Sequence, residues 1–195
     1  MNETLIVEFD GGSRGNPGPA GIGVVVRVQD GTPLVTLGRF IGRATNNVAE
    51  YNALITGLKQ ARTLGAKKVQ VRGDSELIIK QMRGEYRVRH PDLKPLSEEA
   101  RELAAGFDEV SFTHSYREKN ELADKLANLA MDRKGDVFEA DAASVDAPAP
   151  AEAKTGDRFA CPRCGCVVHI ETPTRIRPHQ LRDFICQCGQ RMNRQ

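Results

Sequence analysis

The order of strand-like and helix-like segments in residues 1–134 is the strongest constraint on the fold. Three segments with strand-forming residues come first and are separated by turn residues; they span 5–9, 21–29 and 34–41. A long helical period opening at Asn47 follows, and then strands and helices alternate to the end of the segment. An antiparallel meander followed by this alternation predicts an α/β fold, with a mixed sheet and helices packed on its faces.

Changes in composition divide the rest of the chain. Residues 135–156 are rich in Ala, Asp, Pro and Glu and have no apolar period, which is typical of a flexible linker. Residues 157–195 hold all five cysteines, an odd and clustered set that favours a metal site over a disulfide framework. We therefore predict a domain at 1–134, a linker at 135–156 and a small module at 157–195.

Charge and hydropathy exclude several classes of protein. The formal net charge of +2 is typical neither of a polybasic protein nor of an acidic disordered one. No apolar run approaches the ~20 residues of a membrane helix, and the first residues lack the pattern of a signal peptide. We expect a soluble, cytoplasmic protein without a membrane partner.

Four carboxylates occupy positions where a binding site is expected. Asp10 directly follows the first strand and precedes two glycines, and Asp74 ends a later strand behind another glycine. Glu50 falls in the first turn of the long helix, in line with its inward apolar stripe, and Asp124 falls in the first turn of the last helix, after the expected N-cap Asn120.

Each acid alone also has a structural interpretation, since Asp is common in turns and acids in a first helical turn complement the helix dipole. Four carboxylates brought together would repel one another. Hard divalent cations bound through oxygen ligands are the usual way to stabilise such a cluster. The set is therefore typical of a phosphoryl-transfer site.

Four motifs, in order and spacing, resemble those of type I ribonuclease H: FDGGSRGNPGPAGIGVV, ATNNVAEYNALITGL, VRGDSELII and REKNELADKLAN. The resemblance covers about residues 3–133. It implies the ribonuclease H-like fold, a five-stranded mixed sheet with helices on both faces. It also implies an endoribonuclease that hydrolyses the RNA strand of RNA/DNA hybrids.

The same resemblance implies a catalytic mechanism with two Mg²⁺ or Mn²⁺ ions. Asp10 would bridge both ions, Glu50 and Asp74 would complete one site, and Asp124 would complete the other. One ion would help to generate hydroxide and the other would stabilise the leaving oxygen, which leaves 5′-phosphate and 3′-hydroxyl ends.

Substrate contacts are also implied by the family. Residues of the glycine-rich turn and the start of the long helix would recognise the hybrid: Gly11, Gly12, Ser13, Asn16, Thr45, Asn46 and Asn47. Thr45 and Asn46 would hold a phosphate of the DNA strand, although Asn46 or Asn47 could instead serve only as a helix cap.

This chain departs from the family pattern in several respects, one of which is Glu76, where a Gln is common. The His on the loop before the last helix is missing, and the resemblance implies Arg117 in its place. His114, in phase with Val110 and Phe112, is expected to face the sheet rather than to act from the loop. The chain contains no Trp, so it also lacks the Trp-bearing basic segment of some relatives.

The cysteines look like two knuckles of a small C-terminal zinc ribbon. Pairs of Cys followed by Gly suit one tetrahedral Zn²⁺ site, and we expect the ligands Cys161, Cys164, Cys186 and Cys188, with Cys166 as a substitute. A redox pair is the alternative. Seven Arg against three acids in residues 157–195 favour nucleic-acid contact slightly over a merely solvated basic face.

Two other functions compete with hydrolysis of RNA/DNA hybrids. One is cleavage of another substrate by the same fold, such as double-stranded RNA. The other is a non-catalytic nucleic-acid-binding module, which the presence of all four acids disfavours.

Overall fold

The computed structural model describes residues 4–115, 120–138, 158–161, 163–169 and 193–194. These residues belong to two compact units, Met1–Ala142 and Ala143–Gln195. Within the described ranges, no helix is both long and apolar enough to cross a membrane.

The first unit is a mixed sheet with helices on both faces, as the sequence predicts. Its elements are β1 (Thr4–Ser13), β2 (Gly18–Val28), β3 (Pro33–Ala44), α1 (Asn46–Thr63), β4 (Lys68–Gly73), α2 (Glu76–Met82), a 3₁₀ turn (Pro91–Leu93), α3 (Lys94–Ala105), β5 (Glu109–His114), α4 (Glu121–Arg133) and β6 (Val137–Phe138). The strand order is β5-β4-β1-β2-β3-β6. The β1–β4 and β4–β5 pairs are parallel, and the other neighbours are antiparallel.

The short strand β6 corrects the predicted start of the linker at residue 135. Lys134 adopts a left-handed conformation with φ 49°, which turns the chain back after α4. Val137 is then fully buried in an apolar cluster with Leu126 and Ala130, and it pairs with Gly38 of β3. The burial of Val137 explains why the sheet gains a sixth strand. The remainder of the predicted linker, 139–156, lies outside the described residues.

An apolar core lies on each face of the sheet. Because side chains alternate along a strand, Leu5, Val7 and Phe9 of β1 face the larger core, which α1 completes. A buried hydrogen bond of 2.7 Å from the Tyr51 hydroxyl to Gln81 Oε1 joins α1 to α2, and burial raises the pKa of Tyr51.

On the opposite face, α4 packs against strands that present glycines to it. A Cβ added at Gly23 would lie 1.9 Å from the Ala123 carbonyl oxygen, and one at Gly38 would lie 2.5 Å from the Leu126 carbonyl oxygen. Gly23 and Gly38 pair with each other across β2 and β3. The backbone of α4 therefore contacts the sheet directly, at a distance that a side chain at Gly23 or Gly38 would not allow.

The described residues of the second unit form three short strands, β7 (Arg158–Ala160), β8 (Val167–His169) and β9 (Asn193–Arg194), in the order β8-β7-β9 with antiparallel pairing. The predicted zinc ribbon also includes Cys186 and Cys188, which lie outside the described residues. The ribbon therefore stays a prediction.

Gly23→Ala is expected to destabilise the first unit, because the new methyl group must displace α4. Overpacking typically costs ~1–3 kcal/mol, so the melting temperature should fall by about 5 °C or more, as measured by circular dichroism. The control is Gly135→Ala, whose Cβ would meet only the Arg133 carbonyl oxygen at 3.8 Å. Equal melting temperatures for the two variants would contradict the close packing of α4.

Candidate active site

Asp10 lies within β1 rather than after its end, which corrects the prediction from the sequence. The strand continues through Gly11 and Gly12 to Ser13, because this segment forms an antiparallel ladder with β2 in which Ser13 pairs with Ala20. The parallel ladder of β1 with β4, however, ends at the pair of Phe9 and Gly73. Asp10 is therefore the first residue beyond that ladder, at an opening of the sheet.

Glu50 is brought to this opening by α1. The helix begins at Asn46, with Thr45 as the N-cap, whose Oγ1 accepts a hydrogen bond of 3.3 Å from Val48 N. The expected start at Asn47 is therefore wrong by one residue, and Glu50 lies just beyond the first turn. A Cβ at Gly11 would lie 2.2 Å from the Ala49 carbonyl carbon, so Gly11 allows this part of α1 to approach β1.

Asp74 directly follows β4, as predicted. Carboxylate oxygens of Asp10, Glu50 and Asp74 all lie within 4.8 Å of one another. Asp10 and Glu50 are only 8% and 5% exposed. The fold thus holds three carboxylates together in a largely buried position, where their mutual repulsion is strong.

Asp124 reaches the same place from the opposite face of the sheet. It lies in the first turn of α4, as predicted, and lines a cavity of about 850 Å³ together with the other three acids. The cavity is further lined by Gly11, Gly12, Ser13, Arg14, Asn46, Ser75, His114, Ser115, Asn128 and Met131. All four predicted acids therefore face one open cavity.

Four of the residues predicted to bind substrate also line this cavity: Gly11, Gly12, Ser13 and Asn46. Asn16 and Thr45 instead hold the start of α1. Asn16 Oδ1 accepts a hydrogen bond of 3.1 Å from Asn46 N, and Thr45 serves as the cap. Asn47 is half-buried beside them. Capping is thus done by Thr45, and neither Asn46 nor Asn47 is the N-cap.

His114 lies in β5 and not in the following loop, as predicted, but its side chain is exposed and lines the cavity, which corrects the expectation that it faces the sheet. Its Nε2 lies 3.1 Å from the carbonyl oxygen of Asp74. Arg117 lies outside the described residues, so its predicted role stays a prediction.

Sequence reasoning missed five of the cavity residues, which are Arg14, Ser75, Ser115, Asn128 and Met131. Asn128 could have been found, because it lies one helical turn after Asp124, and its Nδ2 donates to the Asp124 carbonyl oxygen over 3.0 Å. Met131 is buried in the helix face that packs on Gly21. Its apolar side chain gave no sequence signal for a polar cavity.

The described cysteines form one turn of the second unit. Cys161 N donates to the Cys166 carbonyl oxygen over 2.8 Å, and Gly165, with φ +73°, donates to the Cys161 carbonyl oxygen over 3.0 Å. Cys161 is buried, whereas the Sγ atoms of Cys164 and Cys166 are 3.3 Å apart on the surface. Cys166 therefore lies beside a predicted ligand, as its assignment as a substitute requires.

The donor set of the cavity fits a hard divalent cation. Its three closest ligand atoms are carboxylate oxygens, the ligand type that Mg²⁺ and Mn²⁺ prefer. A cation would also neutralise the charge that Asp10, Glu50 and Asp74 concentrate there. Fold and site together define a metal-dependent phosphodiester-cleaving enzyme as the class to consider.

Comparisons with known proteins agree with this class. A sequence model of a family described as reverse transcriptase-like matches residues 8–130. Ribonuclease HI of Halobacterium salinarum is 51% identical over 124 residues, which are 64% of this chain and 62% of that protein. The crystal structure of LC11-RNase H1 in complex with RNA/DNA hybrid is 44% identical, has a TM-score of 0.64, and is matched over 67% of this chain and 98% of that one.

The chain belongs to the ribonuclease H family. A bifunctional protein of Mycobacterium tuberculosis is 49% identical over 139 residues, but the matched part is 71% of this chain and only 38% of that protein. The chain thus matches about two fifths of that relative and less than two thirds of the Halobacterium enzyme.

Glu50→Gln is expected to stabilise the protein in EDTA, because it removes one of three mutually repelling carboxylates. The melting temperature should rise by about 2–4 °C, which corresponds to ~1 kcal/mol. Mg²⁺ should raise the melting temperature of the wild-type protein, and this increment should be lost in the variant.

The matched control for this prediction is Glu8→Gln. Glu8 lies on β1 like Asp10, but it forms an ion pair of 2.9 Å with Arg27 away from the cavity. This variant should keep the full Mg²⁺ increment. An undiminished increment in Glu50→Gln would remove Glu50 from the metal site.

Proposed function

We propose that this protein is an endoribonuclease that hydrolyses the RNA strand of RNA/DNA hybrids by two-metal-ion catalysis, leaving 5′-phosphate and 3′-hydroxyl ends. The observation that carries the proposal is the convergence of Asp10, Glu50, Asp74 and Asp124 on one open cavity. A protein that only binds nucleic acid has no need for buried carboxylates, which repel a phosphate backbone.

The relatives support hybrid as the substrate. Proteins named ribonuclease HI or RNase H1 match the first unit, and one of them was solved in complex with RNA/DNA hybrid. The site that this similarity concerns lies wholly within Met1–Ala142, since its acids span residues 10–124.

Each acid has a task that follows from its position. Asp10 lies on β1, whereas Glu50 comes from α1 and Asp124 from α4 on the other face, so Asp10 would help to hold both ions. Glu50 and Asp74 would hold one ion with it, and Asp124 would hold the other. Bound divalent ions supply activation of the attacking water and stabilisation of the leaving oxygen.

The glycine-rich strand end suits recognition of the RNA strand. Both Gly11 and Gly12 line the cavity, but Gly11 is buried against α1, whereas Gly12 is half-buried and has no side chain to keep a sugar at a distance from its backbone. The 2′-hydroxyl is the group that distinguishes RNA from DNA at such a contact. Asn46, exposed at the start of α1, is placed to bind the nucleic acid nearby.

The activity is tested with end-labelled RNA/DNA hybrid, double-stranded RNA and double-stranded DNA, each with Mg²⁺, Mn²⁺ or EDTA. We expect metal-dependent cleavage of the RNA strand of the hybrid. Preferential cleavage of double-stranded RNA would replace the proposed substrate, and no cleavage of any of the three would favour the binding-module alternative.

Asp10→Asn is expected to lower kcat by at least ~10³-fold, an amount that corresponds to ~4 kcal/mol of transition-state stabilisation. Hybrid binding should persist, because the substitution removes negative charge and leaves the other contacts in place. Gel shift and single-turnover cleavage measure the two effects separately. More than a tenth of wild-type activity in the variant would remove Asp10 from the mechanism.

For the second unit we propose one structural Zn²⁺ held by Cys161, Cys164, Cys186 and Cys188, and contact of its basic surface with nucleic acid. The buried position of Cys161 and the turn that places Cys164 beside Cys166 support a thiolate site. We also propose that the protein acts in the cytoplasm, where such thiols stay reduced.

Protein purified under reducing conditions should contain about one zinc per chain. Cys161→Ser should lose the metal, whereas Cys166→Ser should retain it, because Cys166 is only the substitute ligand. Elemental analysis of the three proteins decides the question. Zinc absent from the wild type contradicts the site, and zinc lost from Cys166→Ser alone reassigns the ligands.

A further inference from the structure

Asn120 is a buried polar residue at the N-cap position of α4. It is 2% exposed, and its Nδ2 donates a buried hydrogen bond of 2.8 Å to the carbonyl oxygen of Phe9. The two residues are 111 positions apart in the chain. This bond therefore joins the start of α4 to the centre of the sheet.

Helix capping does not explain the Asn120 side chain. An N-cap Asn normally accepts a hydrogen bond from a backbone N–H of the first turn, but Asn120 makes no side-chain cap bond. Its Oδ1 is buried and has no hydrogen-bond partner among the described residues. Burial of an oxygen without a hydrogen-bond partner costs free energy. The bond from Nδ2 to Phe9 must therefore account for the presence of an amide at this position.

The bond connects two of the acids through short stretches of backbone. Phe9 directly precedes Asp10, and the carbonyl oxygen of Asn120 accepts a hydrogen bond of 3.1 Å from Asp124 N. Asn120 therefore contacts β1 next to one acid with its side chain and the backbone of another acid with its carbonyl oxygen. A shift of Asn120 would move Asp124 relative to Asp10.

The glycine contacts of α4 set its distance from the sheet but not its position along the strands. Gly23 and Gly38 determine how closely α4 approaches the sheet, but glycines have no side chains that interlock with the helix. Apolar side chains such as Val25 and Leu126 also pack between α4 and the sheet, but apolar packing has no preferred direction. The Asn120 bond is a directional contact at the end of α4 that carries Asp124.

We propose that Asn120 is a positioning residue that holds Asp124 at the distance from Asp10 that metal binding at the shared site requires. This inference rests on the proposed function, in which both acids hold metal. Asn120 is not among the residues that line the cavity, so it acts through Asp124.

The test uses the full chain with Asn120→Ala and with Asn120→Asp, which keeps the shape of the side chain but cannot donate to Phe9 while ionised. Without the bond, kcat on the hybrid should fall at least about 10-fold, with KM within about twofold of wild type. The matched control is Asn52→Ala, which removes a hydrogen bond of 2.7 Å from Nδ2 to the Val48 carbonyl oxygen within α1. The control should keep wild-type kcat.

A double-mutant cycle separates positioning from a general structural role. In an Asp124→Asn background, Asn120→Ala should change kcat by less than about twofold, because the group that it positions is already lost. An effect as large as in the wild-type background would overturn the proposal.

Metal binding without substrate gives a readout that does not depend on which nucleic acid is cut. Calorimetric titration with Mn²⁺ should show weaker binding to Asn120→Ala by about fivefold or more, and unchanged binding to Asn52→Ala. If wild-type protein binds Mn²⁺ but does not cleave hybrid, the proposed function fails while this inference still stands. Unchanged Mn²⁺ binding in both Asn120 variants would overturn the inference alone.

Melting temperatures complete the test. A bond with a local positioning role should leave both Asn120 variants folded, with melting temperatures within about 8 °C of wild type. Failure of both variants to fold would assign Asn120 to the stability of the unit and overturn the positioning role.

Discussion

The candidate site depends on two places where a helix backbone touches the sheet directly. A Cβ would lie 2.2 Å from the Ala49 carbonyl carbon at Gly11 and 1.9 Å from the Ala123 carbonyl oxygen at Gly23. These contacts lie on opposite faces of the sheet, and each is adjacent in sequence to an acid, Glu50 or Asp124. A side chain at either glycine would move an acid away from Asp10 without altering any acid. The glycines therefore determine the chemistry of the cavity as much as the carboxylates do.

Bringing carboxylates together opposes folding, and the rest of the first unit must offset that cost. Three carboxylates with oxygens within 4.8 Å repel strongly where Asp10 and Glu50 are almost wholly buried. The apolar clusters on both faces of the sheet provide the opposing free energy, through side chains such as Phe9 and Leu54 that are fully buried. The site is thus a strained part of a unit that is otherwise well packed, a usual trade between stability and activity.

Much of this arrangement could be predicted from the sequence, because it follows from local patterns. Alternation and helical period predicted the mixed sheet, and the positions of Asp74 and Asp124 relative to their strand and helix were correct. The errors concern non-local contacts. Val137 and Phe138 were assigned to a linker because a segment of two residues is too short to show a period. They form a strand because Val137 is buried against α4 and both residues pair with β3. Asn120 is the N-cap residue of α4, as predicted, but its side chain bonds to Phe9 instead of the helix, and a bond that spans 111 residues has no local signal.

All four acids and the contacts that position them lie in the first unit. This arrangement limits the role that the second unit can have in catalysis. Glu50 and Asp124 are fixed by packing on Gly11 and Gly23, and none of these contacts involves residues beyond 142. A basic module that contacts nucleic acid would therefore act on the affinity for substrate and on its salt dependence, not on the chemical step. The division follows from the geometry: transition-state stabilisation requires groups at the reacting phosphate, and the four proposed metal ligands all lie in residues 10–124.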